Sequence, residues 1–407
     1  MKKGVLYTAI QIGSNSIKTI TSTIGRNGNI QVIGFGNSKP TTLNDDLETN
    51  NELLDTSIKT SLSKAQRYIG KRVNSAFAGI GSTDIHTRNI TLTIEEKEAT
   101  KFFSNENEFD KLKMLGLDSD PNLMVYDIIP TSYSLVQNNK QNGTTNSKYM
   151  EIETSVIIGS KTKDTQLKKA LSKSRITPSK IILSHQAIGE GCLTETEKEL
   201  GIILIDIGAT TTKSAIFKNG QMTHASSIKL GGNQVTNDLA KFLNIPFYVA
   251  EDIKQKWGTL LRQQSKINEI TLPSFHGLPN RTIYQDKLYE PLSLRILEIV
   301  RLSIAQLRQS GMKVIPHAGI VVTGGTARLP GIEKLISELV MNNCRIGYPS
   351  TITGFPQELQ TPENTEVAGL LITGIKEITP NPIKQPIRLI DSFKSFKKIL
   401  DFSPIRQ

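Results

Sequence analysis

The sequence predicts a two-lobed α/β protein made by internal duplication, and three observations carry that prediction. At 407 residues and 44.9 kDa the chain exceeds the size at which one hydrophobic core keeps growing, so two or more domains are expected. A hydrophobic content of 37% with 21% charged residues fits ordinary globular structure rather than disorder. The third observation is a repeat. IQIGSNSIKTITSTIGRNGNIQVIG near the start is similar to LIDIGATTTKSAIFKNGQMTHAS in the middle. In each copy an apolar strand ends in Ile-Gly, a Ser/Thr-rich turn follows, and a lysine sits five residues past the glycine, at Lys18 and Lys213. A second strand then runs to Asn27-Gly28 or Asn219-Gly220, a strong hairpin signal. A repeated strand-turn-strand unit implies two similar lobes.

The remaining elements follow from periodicity. Asp45 to Ile69 reads as an amphipathic helix, with Leu53, Ile58, Leu62, Ala65 and Ile69 at roughly helical intervals. SAFAGIG at 75–81 is a buried strand. Residues 82–163 combine strand-like NITLTI and MEIETSVIIG with a helical stretch near Lys101–Leu117 and a polar loop, and read as a small α+β insert. The organisation expected is a first lobe of 1–81 and 164–200 interrupted by the 82–163 insert. A second lobe of 201–233 and 316–378 follows, interrupted by a helical and strand subdomain at 234–315. TPNPIKQPIR then marks an extended linker at 379–388. Beyond it, Leu389, Phe393, Phe396 and Leu400 form one apolar stripe of a helix over 389–403, flanked by Lys394, Lys397 and Lys398. This segment reads as an interfacial membrane helix, the alternative being a helix docked on the body.

A net charge of +11 suggests an anionic partner, and part of the excess is local to this tail, where six basic residues face two acidic ones between Lys384 and Arg406. No nucleic-acid-binding motif accompanies it, so no nucleic-acid partner is expected. Two distant cysteines form neither a disulfide framework nor a CxxC pair, the five histidines lack ligand spacing, and no stretch approaches transmembrane length. The opening MKKGVLYTAIQIG is interrupted by polar and glycine residues too soon for a signal peptide. A cytoplasmic protein is expected.

Chemistry is suggested at three glycine-containing turns. Gly13-Ser14-Asn15-Ser16 and Gly208-Ala209-Thr210-Thr211 have the glycine and hydroxyl content that lets backbone N–H groups approach a polyphosphate. A plain hairpin turn is the alternative for either one alone. Asp206, at the end of the apolar strand IILID, is costly to bury unless paired or coordinated, so it is assigned to a hydrated Mg²⁺ beside the phosphates, the alternative being a carboxylate capping its own turn. In AGIVVTGGTARLPGIEKL a buried strand leads to Gly324-Gly325 and then to a helix, a surface suited to an adenine ring or phosphate.

These three turns, in this order and separation, resemble the ATP-binding pattern of the actin, heat-shock chaperone and sugar-kinase superfamily. Within it the chain most resembles the bacterial FtsA cell-division family, through ELGIILIDIGATTT, the Gly231-Gly232-Asn233 turn before an amphipathic helix, VAEDIKQKWG, AGIVVTGGTARLPGIEKL, RIGYPSTITGF and the basic amphipathic end. The resemblance implies an actin-like, ribonuclease-H-like duplicated ATPase fold with ATP and Mg²⁺ between the lobes. Gly13 to Ser16 and Lys18 would approach the phosphates from one side, and Asp206 with Gly208 to Thr211 from the other. Gly231, Gly232 and Asn233 would line the cleft, Glu251 and Lys254 would contact ribose and adenine, and Gly324, Gly325 and Thr326 would support the purine. As a bare i,i+3 pair, Glu251 and Lys254 also read as a surface salt bridge.

The resemblance further implies polymerisation, docking of the FtsZ C-terminal tail through Arg295 and Arg301, further division partners on the insert, and attachment to anionic lipid at the cytoplasmic face of the division site. Two positions depart from the pattern. Gln11 stands where an acidic residue is usual, so hydrolysis is expected to be weak or absent, and Ala209 stands where glycine is usual. Candidates for a water-activating residue are Gln186 and Glu190, and both also read as structural. Two other members of the fold offer alternatives: a PilM-like pilus-assembly ATPase, which lacks the terminal helix, and a sugar or acetate kinase, which needs an acceptor-directed carboxylate.

Overall fold

The computed structural model describes residues 5–25, 28–40, 51–67, 69–95, 115–117, 120–137, 148–262, 268–273, 280–349, 352 and 355–378. The 379–388 linker and the 389–403 helix lie outside these residues, as does most of the helical stretch expected near 101–117.

β1 (Tyr7–Ile12), β2 (Ile17–Ile24) and β3 (Ile30–Ser38) form an antiparallel meander. Helix α1 (Asn51–Gln66) crosses it and leads to β4 (Ser75–Ile80), which pairs in parallel with β1. The chain then leaves the sheet for β5 (His86–Glu95), β6 (Leu123–Gln137) and β7 (Lys148–Ser160), a separate antiparallel sheet in the order β5-β7-β6 with its own small core of Leu92, Met150, Ile152, Val156 and Ile158. Strand β6 does not emerge from the sequence pattern. Pro130 argues against a strand, and the sheet accommodates it at an edge strand beside a register shift between Pro130 and Ser132. α2 (Lys161–Lys173) returns the chain to β8 (Thr177–Leu183), which completes a five-stranded sheet in the order β3-β2-β1-β4-β8.

After α3 (Ser184–Cys192) and α4 (Glu195–Leu200) the pattern repeats. β9 (Ile202–Ile207), β10 (Thr212–Lys218) and β11 (Gln221–Ile228) form the second meander. Asn219 and Gly220 take φ of 52° and 75° in its hairpin, the left-handed pair that a two-residue turn requires. α5 (Gly232–Leu243), α6 (Phe247–Trp257), the ribbon β12 (Glu269–Leu272) and β13 (Arg281–Tyr284), and the long α7 (Tyr289–Gln309) follow. β14 (Ile320–Thr323), α8 (Ile332–Val340), β15 (Cys344–Ile346) and α9 (Thr365–Ile378) end the described chain. The second sheet runs β11-β10-β9-β14-β15, the strand order of the first. β9 is buried along its whole length, as a strand covered on both faces must be.

Two helices bind the lobes together by exchanging partners. α3 follows the last strand of the first sheet, yet its Gly189 lies against Phe217 of β10. α9 follows the second sheet, yet Val367, Leu370, Leu371 and Ile375 share a core with Ala9, Ile20, Phe77 and Ile182 of the first. Chain order alone puts α9 in the second lobe; its apolar face buries on the other. The insert also reaches across, with Ser227 N–H donating to the Ile85 carbonyl at 3.1 Å and Asn89 Nδ2 to the Ser310 carbonyl at 2.6 Å.

Candidate functional site

The turns opened by Gly13 and Gly208 are closed the same way. Gly13 N–H donates to the Ser16 carbonyl at 3.0 Å, and Gly208 N–H donates to the Thr211 carbonyl at 2.9 Å. Their tips meet: Ser14 Oγ and Thr210 Oγ1 lie 2.6 Å apart, while Asn15 is exposed beside them. The second loop is backed by the start of α5, whose Gly232 and Asn233 N–H groups donate to the Gly208 and Ala209 carbonyls at 2.8 and 2.7 Å. Thr326 Oγ1 donates to the Gly208 carbonyl at 3.3 Å.

Lys254 joins the same wall. Its Nζ donates to the Gly232 carbonyl at 3.0 Å and to Thr236 Oγ1 at 2.7 Å, and pairs with Glu251 at 2.7 Å. Burial lowers the Lys254 amine, and Glu251 opposes that. Gly324 has φ of 89°, and a Cβ there would stand 2.5 Å from Asp206 Oδ1, so only glycine lets the third turn close over the end of β9. Gly325 is exposed, and a Cβ added to it meets only Glu363 Cβ, at 4.0 Å.

Beneath the loops lies a buried charge cluster. In the register of the two meanders Gln11 faces Lys18 and Asp206 faces Lys213, so the duplication places a matching pair in each lobe. Lys213 Nζ is 3.3 Å from Asp206 Oδ2 and 2.9 Å from Glu366 Oε2. Gln11 Nε2 donates to that same Glu366 oxygen at 2.9 Å, and Ser184 Oγ donates to the other at 2.6 Å. Lys18 Nζ donates to the Glu363 carbonyl. Burial lowers the Lys18 amine to about 8, against the pull of Glu363 and Glu366, and burial raises the Asp206 carboxyl, against Lys213.

The other two groups are decided by their partners. Burial acts upward on Glu366, but Lys213 and the bonds from Ser184 and Gln11 outweigh it and hold the carboxyl below its ordinary value. Burial acts downward on Lys213, but Glu366 and Asp206 hold the ammonium above its ordinary value. At an effective dielectric near 20, charges about 4 Å apart interact by about 4 kcal/mol, and removing one partner of a buried pair costs about 3–5 kcal/mol.

Glu366 is absent from the residues singled out by sequence. Its signal was present: one carboxylate at the head of the otherwise apolar TEVAGLLITG needs a buried partner. The partner is 153 residues away in the chain, which no local pattern reveals. His185 is likewise buried, its Nε2 3.0 Å from the Ser226 carbonyl, and burial pushes it down to about 4, which keeps the ring neutral.

For two of the sequence readings the geometry supplies the partners. Glu190 is held by Lys198 and Lys376, each at 2.6 Å, so it serves an ion-pair network rather than a water in the cleft; Gln186 is half-buried on the same helix. The residues also do not fit a magnesium ion held through Asp206. The ammonium of Lys213 already lies between the two acids, and among the described residues no three His, Cys, Asp or Glu side chains converge on a metal position. Arg295, on α7, is paired with Asp238 at 2.5 Å and with Glu298, whereas Arg301 is exposed on the same helix.

Comparison with known proteins agrees with the architecture. A family model described as cell division protein FtsA matches residues 203–369. The FtsA of Pseudomonas aeruginosa is 28% identical over 388 residues, covering 93% of this chain and 91% of that protein. The FtsA of Bacillus subtilis is 27% identical over 359 residues, covering 86% and 80%. Among solved structures, a PilM-PilN type IV pilus biogenesis complex superposes with a TM-score of 0.63 at 15% identity, over 91% of this chain and 98% of that one. MreB5 of Spiroplasma citri bound to ADP gives a TM-score of 0.54 at 16% identity, over 98% and 99%. At such identities these structures speak for the fold alone, and the fold is actin-like. With both sheets in one strand order, a family match over residues 203–369 and relatives such as the Pseudomonas aeruginosa protein alignable over about nine tenths of the chain, the chain has the actin-like fold and is similar along its length to the FtsA cell-division proteins.

Proposed function

We propose that this chain is an ATP-binding cell-division protein that polymerises at the cytoplasmic face of the membrane and anchors the FtsZ ring there through its C-terminal amphipathic helix. The observation that carries the nucleotide reading is the pair of duplicated turns meeting at Ser14 and Thr210 above two buried lysines. A polyphosphate entering between the tips would exchange that hydroxyl pair for bonds to the loop N–H groups, with Lys18 beside it. Gly231, Gly232, Glu251 and Lys254 would wall the nucleoside, and the open face of Gly325 with Thr326 would carry the purine. Hydrolysis is expected to be weak or absent, since Gln11 brings no charge. The 234–315 region, with Arg301 and the exposed Leu294 and Leu302 of α7, would receive the FtsZ tail, and the 82–163 insert other division proteins. Pelleting of the full chain with anionic vesicles, with and without ATP and FtsZ, tests this reading. Failure of FtsZ to pellet with vesicle-bound protein would refute the anchoring role.

Two further outcomes are expected at the site. Gly325→Val, which places branched carbon on an open face, lowers ATP affinity about tenfold or more while leaving the melting temperature nearly unchanged; calorimetry and thermal melting separate the two effects. Trp257, the only tryptophan, ends α6 three residues past Lys254 and offers a fluorescence readout.

The second outcome is a pH dependence. The Lys18 amine titrates near about 8 in the free protein, and an adjacent polyphosphate favours its charged form. Above that value binding must therefore take up a proton. ATP affinity should be flat near pH 7 and fall toward about tenfold per unit above pH 9, a decline that Lys18→Arg removes. A pH-independent affinity of the unaltered protein would remove Lys18 from the phosphates.

A further inference from the structure

The two lobes carry matching cross-strand pairs that differ in one charge. Gln11 and Asp206 each stand two residues before the loop glycine, and Lys18 and Lys213 five after it. The first pair lacks the carboxylate that the second has. Glu366, from the start of α9, supplies one at that position. Its Oε2 takes a bond from Gln11 and one from Lys213, each at 2.9 Å.

The space for this arrangement is built in. A Cβ at Gly81 would lie 2.6 Å from Lys213 Cε, and one at Gly79 would lie 2.9 Å from Glu366 Oε1. Gly79 in β4 and Gly81 just past its end therefore leave room for a lysine from one lobe to reach a glutamate packed on the other. Asp206, Glu366 and Glu363 face Lys18 and Lys213, and Glu363 is also paired with Arg328 at 3.0 Å, so three carboxylates and three cations balance before any ligand enters. A divalent ion placed between Asp206 and Glu366 would have to displace an ammonium that already bridges them.

We propose that the Lys213 ammonium is the resident cation of this site, holding Asp206 and Glu366 together so that the chain binds the polyphosphate of a nucleoside triphosphate without a metal ion held by the protein. This rests on the nucleotide reading above, and it locates the charge compensation in the chain itself. Lys213 also joins the lobes, because Asp206 belongs to the second sheet and Glu366 packs on the first.

The test uses the full chain, with ATP titrated calorimetrically in magnesium chloride and in EDTA. The expected affinity in EDTA lies within about threefold of that in magnesium. A loss of more than about tenfold in EDTA overturns the resident-cation role while leaving the nucleotide reading intact. Lys213→Met supplies a readout that needs no nucleotide: with two acids left unpaired, magnesium chloride alone should raise the melting temperature of the variant and not that of the unaltered chain. Equal responses of the two overturn the proposal. If ATP binds in neither solution the nucleotide reading falls, and the magnesium response of Lys213→Met then decides the cation role alone. If the variant does not fold, the EDTA comparison on the unaltered chain decides it.

Discussion

Phe396→Glu is expected to abolish co-sedimentation of the full chain with lipid vesicles at any salt concentration. The stripe of Leu389, Phe393, Phe396 and Leu400 has few apolar residues, so each must matter. Burying a phenylalanine is worth roughly 1.5–3 kcal/mol, which makes its loss cost on the order of tenfold or more in membrane affinity, and a carboxylate in its place adds a desolvation cost. Charge acts separately. Lysines near an anionic surface contribute about 1 kcal/mol each, an attraction that salt screens, while the apolar contribution is nearly indifferent to salt. Changing Lys394, Lys397 and Lys398 to Gln should therefore weaken binding mainly on anionic lipid and mainly at low salt. Deleting 385–407 should leave a folded, ATP-binding protein, because the proline-bearing TPNPIKQPIR reads as an extended linker that separates the tail from the body. A truncated chain that melts several degrees lower would show instead that the segment docks on the body, and one that still pellets with vesicles would remove the anchor.

Gly369→Val should be the most damaging single change in the body. α3 and α9 meet through glycine: a Cβ at Gly369 would stand 1.6 Å from the Ala187 carbonyl oxygen, and one at Gly191 would stand 2.3 Å from the Thr365 carbonyl oxygen. Both obstacles are backbone, so no side-chain rotation relieves them and the helices must part. Overpacking of this kind costs about 3 kcal/mol or more, which for a chain of this length corresponds to a fall of about 3–4 °C or more in melting temperature. The effect should reach the site. Glu366 lies three residues before Gly369 on α9, and a helix pushed from α3 withdraws its carboxylate from Ser184, Lys213 and Gln11. ATP affinity should fall together with stability, in contrast to Gly325→Val, where only affinity falls. A Gly369→Val protein with unaltered melting temperature would mean that the two helices are not in backbone contact.

The duplication, the two loops and the third glycine turn were legible in the sequence because each is local. An apolar strand, a Gly-hydroxyl turn and an Asn-Gly hairpin occupy about twenty consecutive residues, and strand register follows once the turn is fixed. Strands β5 and β7 were legible from NITLTI and MEIETSVIIG, but β6 was not. Pro130 opposes a strand locally, and only its edge position and register shift make room for it.

The charge cluster was decided by tertiary structure. Sequence placed Lys18, Lys213 and Asp206 at matching offsets, since antiparallel register sets those from the turn outward. It did not place Glu366, which arrives on a helix that leaves the second lobe to bury its apolar face on the first, nor did it reveal that Glu190 is committed to Lys198 and Lys376. A carboxylate and an ammonium more than a hundred residues apart become partners only through packing. Burial then determines whether they must pair, because an unpaired charge costs far more inside the protein than in water.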